Sequence, residues 1–165
     1  MKRLVCIIIT LLSVVLTGYA QMAFEKGYFI DNSGVRTECE IRNMGWRYNP
    51  VEFEYRLSAD GVIGKKNISE IQEFRIEDAR LHYMRFSVDI DRSDQNSEKV
   101  SAVRNPEFSR ETLFLKVVVK GGASLYAYEE FGLLRFFYAI DGGGLKQLIY
   151  KQFYDVKREL LIDQL

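Results

Sequence analysis

Histidine is almost missing from this chain: His82 is the only one in 165 residues. A metal site built on two histidines is therefore excluded within one chain. Cysteine is as scarce, with Cys6 and Cys39 the whole supply. Cys6 falls in an N-terminal segment read below as cleaved, so the mature chain has neither an internal disulfide nor a cysteine-rich zinc set. Net charge is absent too, since 23 basic residues balance 23 acidic ones. With no basic run to follow a phosphate backbone, nucleic acid is dismissed as a partner. There is no G-x-S-x-G elbow and no phosphate-cradling P-loop. The one long apolar run, Leu4 to Leu16, is shorter than the ~20 residues that a membrane-spanning helix needs.

That run carries the first positive signal. It follows Lys2 and Arg3 and leads to Gly18-Tyr19-Ala20, small residues at the third and first positions before Gln21, which is the pattern of a secretory signal peptide cleaved after Ala20. The expected location is the periplasm or the outer membrane's vicinity. Cys6 lies inside the apolar segment, so a lipid-modified cysteine terminus is not supported. Cleavage leaves residues 21–165, a length that favours a single domain with one core. In that domain Cys39, within TECEI, reads as a small strand hydrophobe.

The mature sequence reads as mainly β, built from antiparallel hairpins into a rolled sheet or a small sandwich with a short C-terminal helix. Phe24 to Ile30 and Val35 to Arg42 flank the turn residues Asp31-Asn32-Ser33-Gly34. Asn43 to Pro50 is a connection broken by Gly45 and Asn49-Pro50. Val51 to Leu57 alternates, which predicts Val51, Phe53, Tyr55 and Leu57 on a buried face. Ile68 to Ile76 and Leu81 to Ile90 follow as strands, the first with a break near Glu70. Asp91 to Thr112 is polar and long enough to be either a mobile segment or a binding loop.

Leu113 to Glu130 is the most legible stretch. Gly121-Gly122 predicts a primed two-residue turn, and the register that follows pairs Val117 with Tyr126 and Val119 with Ser124. Leu113, Leu115, Val117, Val119, Tyr126 and Tyr128 then share the core face, and the opposite face is partly covered. Arg135 to Ile140 is a strand, and Leu145 to Tyr154 is read as its partner beyond the loop Asp141 to Gly144, although a helical period also fits. Asp155 is an N-cap candidate for a helix with Val156, Leu160, Leu161 and Leu165 turned to the fold.

Convergent chemistry is not evident, and no catalytic, cofactor-binding or metal residue is assigned. His82 reads as a partly buried strand residue. Asp89-x-Asp91-x-Ser93 starts like a calcium loop, but Asp94 stands where glycine is expected and Val100 where glutamate is expected. Tyr126, Tyr128, Tyr138, Tyr150 and Tyr154 read as core and core rim rather than as a ligand platform. Trp46 and Tyr48, in the Asn43–Pro50 connection, are the candidates for binding a partner, although Trp46 beside Gly45 also suits a plug at the end of a sandwich or barrel.

The stretches KGYFIDNSGVRTECEI, W-x-x-N-P-x-x-F-x-Y (Trp46, Asn49, Pro50, Phe53, Tyr55), N-P-x-F (Asn105, Pro106, Phe108) and LIYKQFY resemble an exported module of Gram-negative envelopes that can precede an outer-membrane β-barrel region. The resemblance implies envelope localisation and no catalytic activity. The expected function is therefore non-enzymatic binding of an envelope protein or a surface glycan. The alternatives are a hydrolase using carboxylates alone, which replacement of His82, Asp89 and Asp91 would test, and a small outer-membrane β-barrel, which Lys116 in the central hairpin, the short Val51–Leu57 strand and the Asp155–Leu165 helix in place of a final strand oppose.

Overall fold

The computed structural model describes residues 23–93, 103–155, 157 and 160–164. The expected signal peptide lies outside them, as does 94–102 of the polar stretch. The strands are β1 (Phe24–Asp31), β2 (Arg36–Arg42), β3 (Glu52–Arg56), β4 (Gly64–Asn67), β5 (Ile71–Ile76), β6 (Leu81–Asp91), β7 (Phe108–Val119), β8 (Ala123–Glu130), β9 (Leu133–Ile140), β10 (Lys146–Leu148), β11 (Lys151–Asp155) and β12 (Leu160–Gln164). The first ten form one antiparallel sheet in the order β10-β9-β8-β7-β6-β5-β1-β2-β3-β4, and β11 pairs with β12 alone.

The opening hairpin forms where its turn residues predict. The Asp31 carboxylate accepts from the Ser33 and Val35 amides, and Gly34 takes a φ of 84° that a side chain would resist. The break near Glu70 is a tight turn, Glu70 N donating to Asn67 O, that separates β4 from β5. Cys39 is buried, and burial pushes its thiol up to about 12, so it stays a protonated hydrophobe.

The sheet is strongly curled. In a flat sheet β3 and β5, three strand spacings apart, would be separated by about 14 Å. Instead the rings of Phe53 and Phe74 stack with centroids 4.4 Å apart. Around them Phe29, Ile41, Ile71, Ile76, Tyr83 and Phe114 make the first core. A second core, with Val88, Ile90, Leu113, Leu115, Tyr126 and Phe137, lies on the opposite face. Alternation along β6 and β7 requires this: Tyr83 and Phe114 point to the first core, and their chain neighbours Met84, Leu113 and Leu115 point to the second. The expected single core is thus two cores on opposite sides of one curled, half-barrel sheet.

Several details differ from the sequence reading. Gly121 and Gly122 do not take positive φ values. The register slips by one between Val117 and Val119, so Val119 pairs with Leu125 rather than Ser124 and is exposed. Val117–Tyr126 pairs as expected. The Ser124 hydroxyl donates to Gly121 O and accepts from Gly121 N, closing a wider connection than a two-residue turn. Primed turns stand instead at Phe131-Gly132 (φ 38° and 88°) and Asp141-Gly142 (φ 49° and 73°).

Of the alternating set in β3, Phe53 is buried and Tyr55 half-buried, while Val51 and Leu57 flank the strand and are exposed. The 145–154 stretch is strand, as read, but in two pieces, β10 on the sheet and β11 off it. The C-terminal helix is not found: Leu160–Gln164 runs antiparallel to Lys151–Asp155. The run Leu160-Leu161-Ile162 satisfies its backbone by this pairing, which an apolar repeat on its own does not distinguish from a helical face.

Candidate functional site

The Asn43–Pro50 connection is held in place by Asn49. Below Lys116–Ala127 the β7–β8 ladder stops, and the Asn49 amide occupies the gap. Its Nδ2 donates to Phe114 O at 2.7 Å and to Ala127 O at 2.9 Å, and its Oδ1 accepts from Glu129 N at 3.1 Å. Asn49 N also donates to Glu129 O at 2.9 Å. Pro50, whose nitrogen carries no hydrogen, is buried beside it and then releases the chain into β3.

This anchor sets Trp46 and Tyr48 against different neighbours. Trp46 is half-buried and meets Phe74 and Tyr83 edge-on at 5.7 and 6.0 Å, so it closes one end of the first core. Burial pushes the Tyr83 hydroxyl up to about 12, consistent with that closure. Tyr48, also half-buried, meets Phe131, from the β8–β9 turn, at 4.9 Å and 41°. The Arg47 guanidinium lies 5.4 Å from the Tyr48 ring centroid.

Between these groups and β3 runs a cleft of about 610 Å³, lined by Met44, Trp46, Tyr48, Val51, Glu52 and Phe131 among others. Its apolar members are unusually open, with Phe131 82% and Val51 65% exposed. Charge rings it: Lys65 pairs with Glu52 at 2.6 Å, and Glu130 pairs with Arg92 at 2.6 Å. Arg92 also reaches Glu111 at 2.5 Å. Its hydrogen bonds hold the Glu111 and Glu130 carboxyls below the usual carboxylate range, so both stay ionised. Trp46 and Tyr48 therefore share one cleft, and the residue that the sequence reading missed is Phe131. Its signal is a phenylalanine placed before Gly132, where a primed turn favours asparagine.

The residues considered for hydrolysis are not brought together. His82 and Asp89 stand seven positions apart on β6, about 23 Å along an extended strand. The His82 Nε2 is 3.5 Å from Glu73 Oε1, an oxygen that already accepts from Tyr28 OH at 2.8 Å. Burial holds the imidazole below its ordinary value, and Lys120 and Arg75 add to that against the pull of Glu73. Asp89 is an exposed partner of Arg110 at 3.1 Å. Asp91 is fully buried, and its carboxylate is used by the Ser93 amide and hydroxyl and the Glu107 amide. Burial pushes that carboxyl up, and these bonds outweigh it, leaving it below the usual range. Beside it Arg135, 2% exposed, donates to Asp91 O, Ser93 O and Leu134 O. Asp89, Asp91 and Arg135 each serve a structural bond, the buried His82 Nε2 holds no hydrogen bond, and no cluster of three or more metal-ligating side chains occurs among the described residues.

Of the five tyrosines, Tyr126 and Tyr128 are buried in or at the second core, Tyr138 is half-buried and Tyr150 is 38% exposed, so these four form no common platform; the Tyr154 side chain lies outside what the structure describes. Comparison of the chain with family models, with curated proteins and with solved structures gave no match.

Proposed function

We propose that this chain is a non-enzymatic module of the cell envelope, exported by its N-terminal segment, that binds a segment of a partner protein in the cleft between Trp46, Tyr48 and Phe131. The observation that carries this reading is Phe131. It is 82% exposed and sits at a φ of 38°, a conformation that costs an ordinary side chain roughly 1–2 kcal/mol. A large ring held open in a strained turn brings folding little beyond its contact with Tyr48 and is the kind of anchor that protein interfaces use. A surface glycan is the other ligand class, but Tyr48 and Phe131 are tilted at 41° to each other, which leaves no flat pair for a sugar face. Against the lipid-embedded barrel stand the sheet's two edges, β4 and β10, since unpaired backbone is costly in hydrocarbon.

A photoreactive phenylalanine analogue in place of Tyr48, in the native host, tests the reading. A discrete protein adduct that disappears with Phe131→Ala supports it. Adducts of equal yield from Tyr48 and from Val119, on the far side of the β7–β8 hairpin, would count against it. Fractionation tests the location: a mature chain that resists alkaline carbonate extraction and needs detergent is a membrane protein, contrary to this proposal.

A further inference from the structure

From β6 to β10 the sheet rolls into a cup around the second core. Four strand spacings separate β6 from β10, about 19 Å if flat. Yet Asp91 N donates to the Gln147 side chain at 2.9 Å, so the two ends nearly meet. That end of the cup is stopped by the buried set Asp91, Arg135 and Lys151. The other end is open. There the Lys120–Ala123 connection and the Asp141–Gly144 loop surround a cavity of about 410 Å³ that reaches down to Met84, Phe86, Tyr126 and Leu145. Tyr126 is 5% exposed and meets Phe86 edge-on at 5.0 Å, so the floor is apolar and firm.

One charge faces this basin. The register slip between Val117 and Val119 turns Lys120 to the cup side, where its Nζ is 3.9 Å from Met84 Sδ. Among the described residues Lys120 has no ion pair, whereas Lys65 and Lys66 each hold a carboxylate. Asp141, also near the mouth, does not line the cavity. We propose that the cup binds a single-chain anionic amphiphile, with the chain in the basin over Phe86 and Tyr126 and the anionic head at Lys120. The volume lies low in the range of small-molecule pockets, which selects one short chain over a two-chain lipid. Buried methylenes supply the affinity, and the lone ammonium at the rim selects the sign of the head.

The mature protein is titrated with decanoate below its micelle concentration, followed by amide chemical shifts. Saturable shifts at Met84, Phe86, Tyr126 and Leu145 are expected, with decyltrimethylammonium binding more weakly. Lys120→Met should weaken decanoate by about fivefold, as an exposed charge contact allows. Ala139→Phe, which fills the basin, should abolish binding while the amide spectrum remains dispersed. Shifts confined to vesicles of anionic lipid, with none from monomeric decanoate, would overturn the proposal, as would decanoate binding that Lys120→Met leaves unchanged.

Discussion

Asn49 and Glu129, 80 residues apart, bond to each other twice: Asn49 N donates to Glu129 O at 2.9 Å, and Glu129 N donates to Asn49 Oδ1 at 3.1 Å. The side chain behaves as an inserted piece of strand, since its amide also caps Phe114 O and Ala127 O where β7 and β8 part. Asn49→Ala leaves three backbone groups without that partner, and an unmet buried group costs about 1–3 kcal/mol. With partial solvent access, a loss of roughly 2–3 kcal/mol is expected in denaturant unfolding. Asn49→Asp should do no better at neutral pH, because a carboxylate cannot donate to the two carbonyls. A loss below about 0.5 kcal/mol for either variant would remove the staple from the account.

The β1–β5 pairing rests on a close approach at Gly27. A β-carbon there would lie 2.1 Å from Arg75 O, a backbone atom that cannot move aside without breaking the ladder. Gly27→Ala is therefore expected to cost about 3 kcal/mol or more, at the upper end of overpacking. Gly144→Ala, with nothing within 4 Å of the added carbon, is the control and should change the unfolding midpoint little. Equal midpoints for the two variants would contradict the close approach.

The sequence declared the strands more readily than the sheet. Alternation in Val51–Leu57 and the turn set Asp31–Gly34 located β3 and the first hairpin, because period and turn chemistry are local. The curl was not legible, since it depends on Phe53 meeting Phe74 across two intervening strands, a distance no spacing along the chain encodes. The same holds for Val119, whose outward turn comes from a register slip that the apolar pattern alone does not reveal. Trp46 and Tyr48 were found because a loop beside Asn49-Pro50 exposes large rings. Phe131 escaped notice because the turn after Glu130 was not recognised without its φ values.

Acid should weaken the fold in two steps. Burial holds the His82 imidazole below its ordinary value, with Glu73, Tyr28, Arg75 and Lys120 around it. A base with a lowered folded pKa binds fewer protons folded than unfolded, so stability is full above pH ~6.5 and declines as pH drops below that, by at most about 1.4 kcal/mol per pH unit. The carboxyls of Asp91, Glu111 and Glu130 are lowered in the fold, so their contribution is full above pH ~4.5 and is lost as pH falls through their folded values. His82→Gln should flatten the first step and leave the second. Urea midpoints measured from pH 8 to 3 check this, and an unchanged first step in the variant would assign it to another group.

Phe131 offers a way to separate folding from binding. Its backbone conformation, followed by Gly132 at a φ of 88°, is the one that asparagine-glycine adopts without strain. Phe131→Asn relieves roughly 1–2 kcal/mol of conformational cost and forfeits a ring contact with Tyr48 worth about 0.5–1.5 kcal/mol. Because the ring is 82% exposed, little buried area goes with it. Stability is expected to hold or to rise by up to about 1 kcal/mol, against the loss of about 3–5 kcal/mol that Phe114→Ala should bring by emptying the first core. Partner crosslinking through position 48 should fall in the Phe131→Asn protein despite its intact fold. If the variant instead unfolds more than 1 kcal/mol more easily, Phe131 is there to hold the Asn43–Pro50 loop, and the cleft loses its strongest claim to a ligand.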